Sequence, residues 1–236
     1  MRERVEVCRF EDRDALFQSA AGRFADAVAP KLERGEICRV AVSGGSLPDG
    51  WFAALKRFVT PAWRRIEWFW VDERCVAPDS PDNNFARAWR YLRLLELPAA
   101  NFYRIAAGEP LAAERYARLL AQRFELTENA VPVFDFIQLG MGPDGHFASL
   151  FPGSPALEED TAWVLQVPPP VTALPAVARV TLTLPVLNRG ARLLFLIAGA
   201  EKLRKLEETL SLEPSPARPV SLLRPEHAAI EFLTAL

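Results

Sequence analysis

The sequence has few of the residues from which disulfide frameworks and zinc sites are built. Its 236 residues include three cysteines and two histidines. Cys8, Cys38 and Cys75 are far apart, no Cys-x-x-Cys spacing occurs, and neither histidine belongs to a His-Glu-x-x-His sequence. We therefore expect no disulfide, no metal ion and no other cofactor. Unpaired cysteines are typical of the reducing cytoplasm.

An excess of one charge and long apolar runs are missing as well. The chain carries 28 basic and 30 acidic side chains, for a net charge of -2, and its longest apolar run spans residues 193–200. A membrane-spanning helix needs about 20 apolar residues, and nucleic-acid binding usually involves a strongly basic surface. The charged first residues are unlike a secretory signal. We expect no membrane and no nucleic-acid partner, and either a monomer or a small homo-oligomer.

Two common nucleotide and hydrolase motifs are incomplete. Gly45 and Gly50 have the first spacing of a Walker loop, but Trp51 and Phe52 occupy the positions that require Lys and Ser or Thr. The Gly-x-Ser-x-Gly elbow of serine hydrolases is not found. Nucleotides are therefore not expected as ligands, and a Ser-His-Asp mechanism is poorly supported.

What the chain does contain is an alternation of strand and helix patterns. Asp12 is placed to cap a first helix that Gly35 ends, and helical spacing recurs near residues 84–95, 111–124 and 198–210. Strands are predicted over residues 5–10, 39–42, 66–71, 102–105, 134–139, 163–167, 177–184, 193–197 and 228–233. The alternation predicts the α/β class, with a Rossmann-like, doubly wound, mostly parallel sheet covered by helices on both faces. We expect a single domain over residues 1–236.

The segment of residues 140–153 follows a predicted buried strand and holds His146, one of the two histidines. Its glycines and prolines indicate a tight turn at the carboxyl end of that strand, where such sheets bind their ligands. His146 can act as a general base if it faces a cavity, and Asp144 can orient it. A packed structural histidine is the alternative, and the pattern alone leaves both open.

A second glycine turn, Ser43-Gly44-Gly45-Ser46, lies between a predicted strand and a helix. Its backbone N–H groups and the helix N-terminus suit a phosphate, although such a turn can also be only a turn. Three basic residues near strand ends can add charge to this site, or can be ordinary surface residues. They are Arg74, Arg179 and Lys202.

Taken together, these segments resemble the 6-phosphogluconolactonase family, which is related to the glucosamine-6-phosphate deaminases. The resemblance rests on residues 43–46, 71–74, 140–153, 180–183 and 199–202, in that order along the chain. The Gly-Met-Gly-Pro-Asp-Gly-His sequence from Gly140 is its most specific part. The resemblance implies a Rossmann-like sheet and hydrolysis of 6-phospho-D-glucono-1,5-lactone to 6-phospho-D-gluconate in the pentose phosphate pathway, without an essential cofactor.

The resemblance also implies roles for individual residues. His146 would activate water against the lactone carbonyl, with Asp144 beside it. Asp72 and Asn84 would line the sugar. The 6-phosphate would be held by the glycine turn and the three basic residues, namely Ser43, Gly44, Gly45, Ser46, Arg74, Arg179 and Lys202.

The sequence departs from the family pattern at several positions. Leu47 and Phe147 stand where threonine is common, and the C-terminal residues match the usual ending only loosely. An amino-sugar phosphate isomerase or deaminase is one alternative, but that branch carries a carboxylate at the position of Phe151 and a tyrosine at that of Arg74. A non-catalytic sugar-phosphate sensor is another. The presence of His146 with Asp144 favours an enzyme.

Overall fold

Ten strands and six helices make up the protein, described here by a computed structural model of residues 5–127, 130–171, 173–226 and 228–236, with the backbone alone for Ser46. The strands are β1 (Val5–Phe10), β2 (Cys38–Val42), β3 (Ile66–Trp70), β4 (Asp72–Arg74), β5 (Phe102–Tyr103), β6 (Phe136–Gly140), β7 (Val164–Val167), β8 (Arg179–Leu182), β9 (Leu193–Ala198) and β10 (Ile230–Ala235). The helices are α1 (Arg13–Glu33), α2 (Ser46–Leu55), α3 (Asn84–Leu92), α4 (Ala112–Arg123), α5 (Leu184–Leu187) and α6 (Ala200–Ser211). None of the helices described is long and apolar enough to cross a membrane.

Seven strands form one sheet in the order β1-β10-β9-β6-β2-β3-β5, and all of its pairings are parallel. From β2 the chain continues to β3 on one side, whereas from β6 it continues to β9 on the other. The crevice between the carboxyl ends of β2 and β6 is therefore the topological switch point, where sheets of this type bind ligands. The predicted fold class, a mostly parallel α/β sheet flanked by helices, is confirmed.

A second, antiparallel sheet of three strands in the order β4-β8-β7 was not predicted. The sequence indicated strands near residues 163–167 and 177–184, but it gave no sign that they leave the main sheet. The latter strand ends at Leu182, since Pro185 falls in the first turn of α5. Val71 makes the transition between the sheets, because its N–H donates to Val42 of β2 and its carbonyl accepts from Leu182 of β8.

An aromatic cluster fixes the central strands. The ring of Phe24 on α1 contacts Trp51 of α2, Trp63, Trp68 of β3 and Phe136 of β6, with centroid separations of 5.1–5.6 Å. Each such ring buries on the order of 200 Å² and makes directional contacts, so the cluster ties two helices to the strands around the switch point. The predicted cap of α1 is confirmed, because the Asp12 carboxylate accepts from the N–H of Ala15 at 2.8 Å.

Candidate active site

A cavity of about 540 Å³ lies at the carboxyl edge of the parallel sheet. Most of the residues predicted to form a site line it, although they come from six separate segments of the chain. They are Ser43, Gly44, Gly45, Asp72, Arg74, Asn84, His146, Arg179 and Lys202. Asp144 does not line the cavity but contacts His146, and the side chain of Ser46 lies outside the part of the chain that the structure describes.

A tight turn presents His146. The N–H of Gly142 donates to the carbonyl of His146 at 2.8 Å, and the N–H of Gly145 donates to that of Gly142 at 3.0 Å. Gly145 has a φ of +88°, which favours glycine. A Cβ atom on Gly142 would lie 2.2 Å from Cε1 of His146. The imidazole thus packs on bare backbone, and both glycines are required by the turn.

The His146 ring is oriented by Asp144. Oδ1 of Asp144 lies 2.5 Å from Nδ1 of His146 and also accepts from the backbone N–H of His146 at 3.1 Å. Because an ionised carboxylate only accepts hydrogen bonds, this contact places a proton on Nδ1. Nε2 of the neutral ring then carries the free lone pair that a general base needs.

Three cations line the same cavity as His146. Arg74 on β4 and Arg179 on β8 are register partners in the antiparallel sheet, and Lys202 lies in the first turn of α6. Within the described ranges, none of them has a carboxylate oxygen within 4 Å. Like charges facing each other across strands are destabilising. The arrangement is therefore suited to an anion that would balance them.

The positive charges of Arg179 and Lys202 are removed from water without a carboxylate of the described residues in direct contact. The side chain of Arg179 is 2% exposed, its Nη2 donates to the carbonyl of Pro175 at 3.2 Å, and its buried Nε has no partner among the described residues. Burial lowers the pKa of Arg179, and the charge of Arg74 acts in the same direction, while the more distant carboxylates of Asp72, Asp144 and Asp82 oppose the shift without cancelling it. Burial and the charge of Arg13 likewise lower the pKa of Lys202, and the charges of Glu201 and Asp144 only partly oppose this. A bound anion would favour the charged form of both side chains.

Asp72 and Asn84 are held rigidly at the wall of the cavity. Nδ2 of Asn84 donates to the carbonyl of Asp72 at 3.0 Å and to its Oδ1 at 3.3 Å, while the Ser149 hydroxyl donates to Oδ2 at 2.6 Å. A Cβ atom on Gly44 would lie 2.0 Å from Oδ1 of Asn84. The glycine at this position is explained by its close contact with Asn84.

The glycine turn begins α2 at the end of β2. Gly45 is the N-cap of this helix with a φ of +107°, and the first N–H groups of any helix lack intrahelical acceptors. These groups can bind an anion. The Ser43 hydroxyl instead donates to the carbonyl of Gln138 at 3.2 Å, which joins the turn to β6.

Comparison with known proteins places the chain in a family. A family model described as glucosamine-6-phosphate isomerases/6-phosphogluconolactonase matches residues 11–232. The chain belongs to this family. A 6-phosphogluconolactonase of Synechocystis sp. is 38% identical over 208 residues, or 85% of this chain and 83% of the relative. One from Nostoc sp. is 30% identical over 100% of this chain and 97% of the relative.

Solved structures from the family share the fold. The 6-phosphogluconolactonase of Thermotoga maritima aligns with a TM-score of 0.83 and 30% identity, covering 98% of this chain and 99% of that one. The enzyme of Trypanosoma brucei aligns with a TM-score of 0.87 and 27% identity, covering 98% and 96%.

Phe151 contacts two of the predicted site residues, and the sequence pattern gives it no role of its own. Its ring lies 4.5 Å from that of His146 between centroids, and the guanidinium carbon of Arg179 lies 5.2 Å from its centroid. The ring is 8% exposed. The family resemblance concerns Phe151 only as the position where the isomerase and deaminase branch carries a carboxylate. No periodicity points to such a contact, because it depends on the folding of an irregular loop.

Two further charged residues that line the cavity were not predicted, Asp82 and Arg87. Arg87 pairs with Asp49 of α2, with Nη2 2.7 Å from Oδ2. Arg87 lies three residues after Asn84 on α3. Residues three apart are neighbours on the surface of a helix, so the prediction that Asn84 lines the site also indicates Arg87.

The glycines at 140, 142 and 145 also have the Gly-x-Gly-x-x-Gly spacing of dinucleotide-binding turns. In that motif a helix begins directly after the turn. Here the residues after Gly145 form an isolated bridge between Phe147 and Leu150 instead of a helix. The spacing therefore does not indicate a dinucleotide site in this member of the family.

Proposed function

We propose that this chain hydrolyses 6-phospho-D-glucono-1,5-lactone to 6-phospho-D-gluconate, a step of the oxidative pentose phosphate pathway, as a single-domain cytoplasmic enzyme. The observation that carries the proposal is that His146, oriented by Asp144, lines the same cavity as three cations without carboxylate partners among the described residues. The names and coverage of the relatives support the same substrate.

In the proposed complex, Arg74, Arg179 and Lys202 bind the 6-phosphate together with the N–H groups at the start of α2. Arginine can contact phosphate oxygens in a bidentate manner, whereas lysine contributes a compact charge. Asp72 and Asn84 contact the sugar hydroxyls. The phosphate is remote from C1, so its binding energy serves to orient the carbonyl toward His146.

The reaction then needs one base and a site for the developing oxyanion. Nε2 of His146 removes a proton from water as the water oxygen bonds to C1, and the carbonyl π electrons move to the carbonyl oxygen. Backbone N–H groups near the cavity can stabilise that charge. When the tetrahedral intermediate collapses, the bond from C1 to the ring oxygen breaks, and the ring oxygen takes the proton from His146. The resulting carboxylic acid ionises in water.

Isomerase or deaminase chemistry is the alternative within the family. The pattern of that branch places a carboxylate where this chain has Phe151, and a phenyl ring cannot transfer a proton. Phe151 instead packs against His146. A non-catalytic sensor would not need the orientation of His146 by Asp144. The hydrolase therefore accounts for more of the site than either alternative.

The test is the loss of freshly prepared 6-phosphogluconolactone above its spontaneous hydrolysis. We expect His146→Ala to lower kcat/KM by about 10²–10⁴-fold, the usual contribution of a general base. Asp144→Asn keeps the shape of the carboxylate but not its charge, so its loss should be smaller. Unphosphorylated gluconolactone should be a poor substrate. A wild-type rate equal to the spontaneous rate, or to that of His146→Ala, would refute the proposal.

A further inference from the structure

Glu73 is a buried carboxylate to which the proposed reaction assigns no task. It lies on β4 between Asp72 and Arg74, which both line the cavity, and its side chain is fully buried. It forms no ion pair with any residue in the described ranges. A buried charge without a cation is expensive, so its interactions with neutral groups must compensate it.

Three backbone N–H groups provide that compensation. Oε1 of Glu73 accepts from the N–H of Arg74 at 2.8 Å and from that of Asn84 at 2.7 Å, and Oε2 accepts from that of Phe85 at 2.9 Å. Asn84 and Phe85 are the first two residues of α3, whose N–H groups have no intrahelical acceptor. A single carboxylate thus connects β4 to the first turn of α3, next to Asp72, Arg74 and Asn84, which line the cavity.

Both ends of this connection carry side chains that line the cavity. Arg74 follows Glu73 directly, and its Nη1 donates to the carbonyl of Asp82 in the loop before α3. Asn84 begins α3, and its amide leaves no room for a side chain on Gly44. A shift of α3 relative to β4 would therefore disturb the positions of Arg74, Asn84 and the glycine turn at Gly44 together.

We propose that Glu73 is a positioning residue for the hydrolysis, because its carboxylate holds the backbones of Arg74 and Asn84 in the places that direct their side chains toward the substrate. The inference rests on the proposed function, although the hydrogen bonds themselves do not. Glu73 touches neither the substrate nor the reacting atoms.

The environment of Glu73 makes this role dependent on pH. Burial raises the pKa of Glu73 to about 7, with a further increase from the charge of Asp72, although the three N–H groups act in the opposite direction. The other titratable groups that interact with it are Cys75, next to β4, and Tyr116 of α4. From α3 it accepts hydrogen bonds from the backbone N–H groups of Asn84 and Phe85. Protonation turns one carboxylate oxygen into a hydroxyl and removes the negative charge, so Glu73 becomes a weaker acceptor for the three N–H groups.

The experiment compares kcat/KM of wild type, Glu73→Gln and Glu67→Gln between about pH 5.5 and 8.5. Glu67 is a matched control, because it is also a buried glutamate and lies on β3 away from the cavity. At pH 8 we expect Glu73→Gln to lose at least about 10-fold in kcat/KM, mainly through KM, since Arg74 and Asn84 bind the substrate. Glu67→Gln should stay within about two-fold.

The pH profile provides a readout that a general loss of stability would not change. Protonation of the base alone lowers kcat/KM tenfold per pH unit on the acid side. If Glu73 must also be ionised, kcat/KM of the wild type should fall by more than tenfold per pH unit on the acid side. In Glu73→Gln the fall should be tenfold per pH unit again. An unchanged slope together with an unchanged kcat/KM would overturn the inference, as would an equal loss in Glu67→Gln.

Amide hydrogen exchange separates this inference from the proposed function. If Glu73 holds the backbone, the N–H groups of Arg74, Asn84 and Phe85 should exchange at least about 10-fold faster in Glu73→Gln than in wild type, whatever the substrate is. Equal exchange would refute the positioning role even in an active enzyme. A wild-type chain without lactonase activity would instead refute the proposed function.

Discussion

At the amino edge of the parallel sheet each buried glutamate is paired with two arginines, whereas at the carboxyl edge the buried Glu73 forms no ion pair with any residue that the structure describes. Glu67 on β3 contacts Arg39, at 3.1 Å, and Arg123. At the carboxyl edge the buried Arg179 correspondingly has no carboxylate within 4 Å among the described residues.

Glu231 on β10 repeats the amino-edge arrangement with Arg192, at 2.6 Å, and Arg23. Burial alone would raise the pKa of Glu231, but hydrogen bonds and charges from these arginines outweigh it and hold the pKa below its ordinary value.

The difference separates charges that are paired within the fold from charges assigned to the site, where Arg179 would bind the ligand and Glu73 would position residues that do. Breaking a buried ion pair is costly because the remaining charge loses its partner. A buried charge that never has a partner lowers the stability of the folded protein at all times. Such charges are therefore expected mainly at functional sites. The two edges should therefore respond in opposite ways to the same substitution.

The largest contrast is in the pH dependence of stability. The pKa of Glu73 is about 7 in the folded protein, above its ordinary value near 4.5, so the stability it contributes is complete below about pH 4.5 and lost as the pH rises through 7. The shift of roughly 2.5 units corresponds to about 3 kcal/mol. Glu231 has a lowered pKa, so its contribution is present above its unfolded pKa and lost as the pH falls.

The measurement is the free energy of unfolding in urea at about pH 4.5, 6 and 8. Relative to wild type, Glu73→Gln should gain stability as the pH rises, whereas Glu231→Gln should lose it. Parallel pH profiles for the two variants would remove the distinction between the edges.

Arginines at the two edges provide the second contrast. Arg179→Met removes a buried, unpaired guanidinium, so kcat/KM should fall by about 100-fold while the melting temperature is kept or raised. Arg192→Met removes one partner of Glu231, so it should cost about 1 kcal/mol of stability with kcat/KM nearly unchanged. A melting temperature that drops in Arg179→Met with its activity intact would reverse the assignment.

Sequence patterns revealed the polar clusters because glycine and charged residues interrupt apolar runs at strand ends. They did not reveal that Arg74 pairs with Arg179, since strand pairing between distant segments leaves no local periodicity. For Glu73 the sequence offers only its place within residues 71–74 of the family resemblance. Its role depends on three backbone N–H groups, and two of them belong to a helix whose position is set by tertiary packing.

The third contrast concerns two phenylalanines of one loop. Phe151 packs between His146 and Arg179, whereas Phe147 is fully buried against Phe195 of β9. Replacement by leucine removes a ring from each, but only Phe151→Leu removes contacts with the base and the buried guanidinium. We expect it to lower kcat/KM by about 10-fold, since aromatic and cation–π contacts are each worth about 1 kcal/mol.

Phe147→Leu is the matched control, with an expected loss of stability of about 1 kcal/mol and kcat/KM within about two-fold of wild type. Phe151→Tyr retains the ring and should recover most of the activity lost in Phe151→Leu. If both leucine variants lost activity equally, packing of the loop as a whole, and not the contact between Phe151 and the two site residues, would control the carboxyl edge.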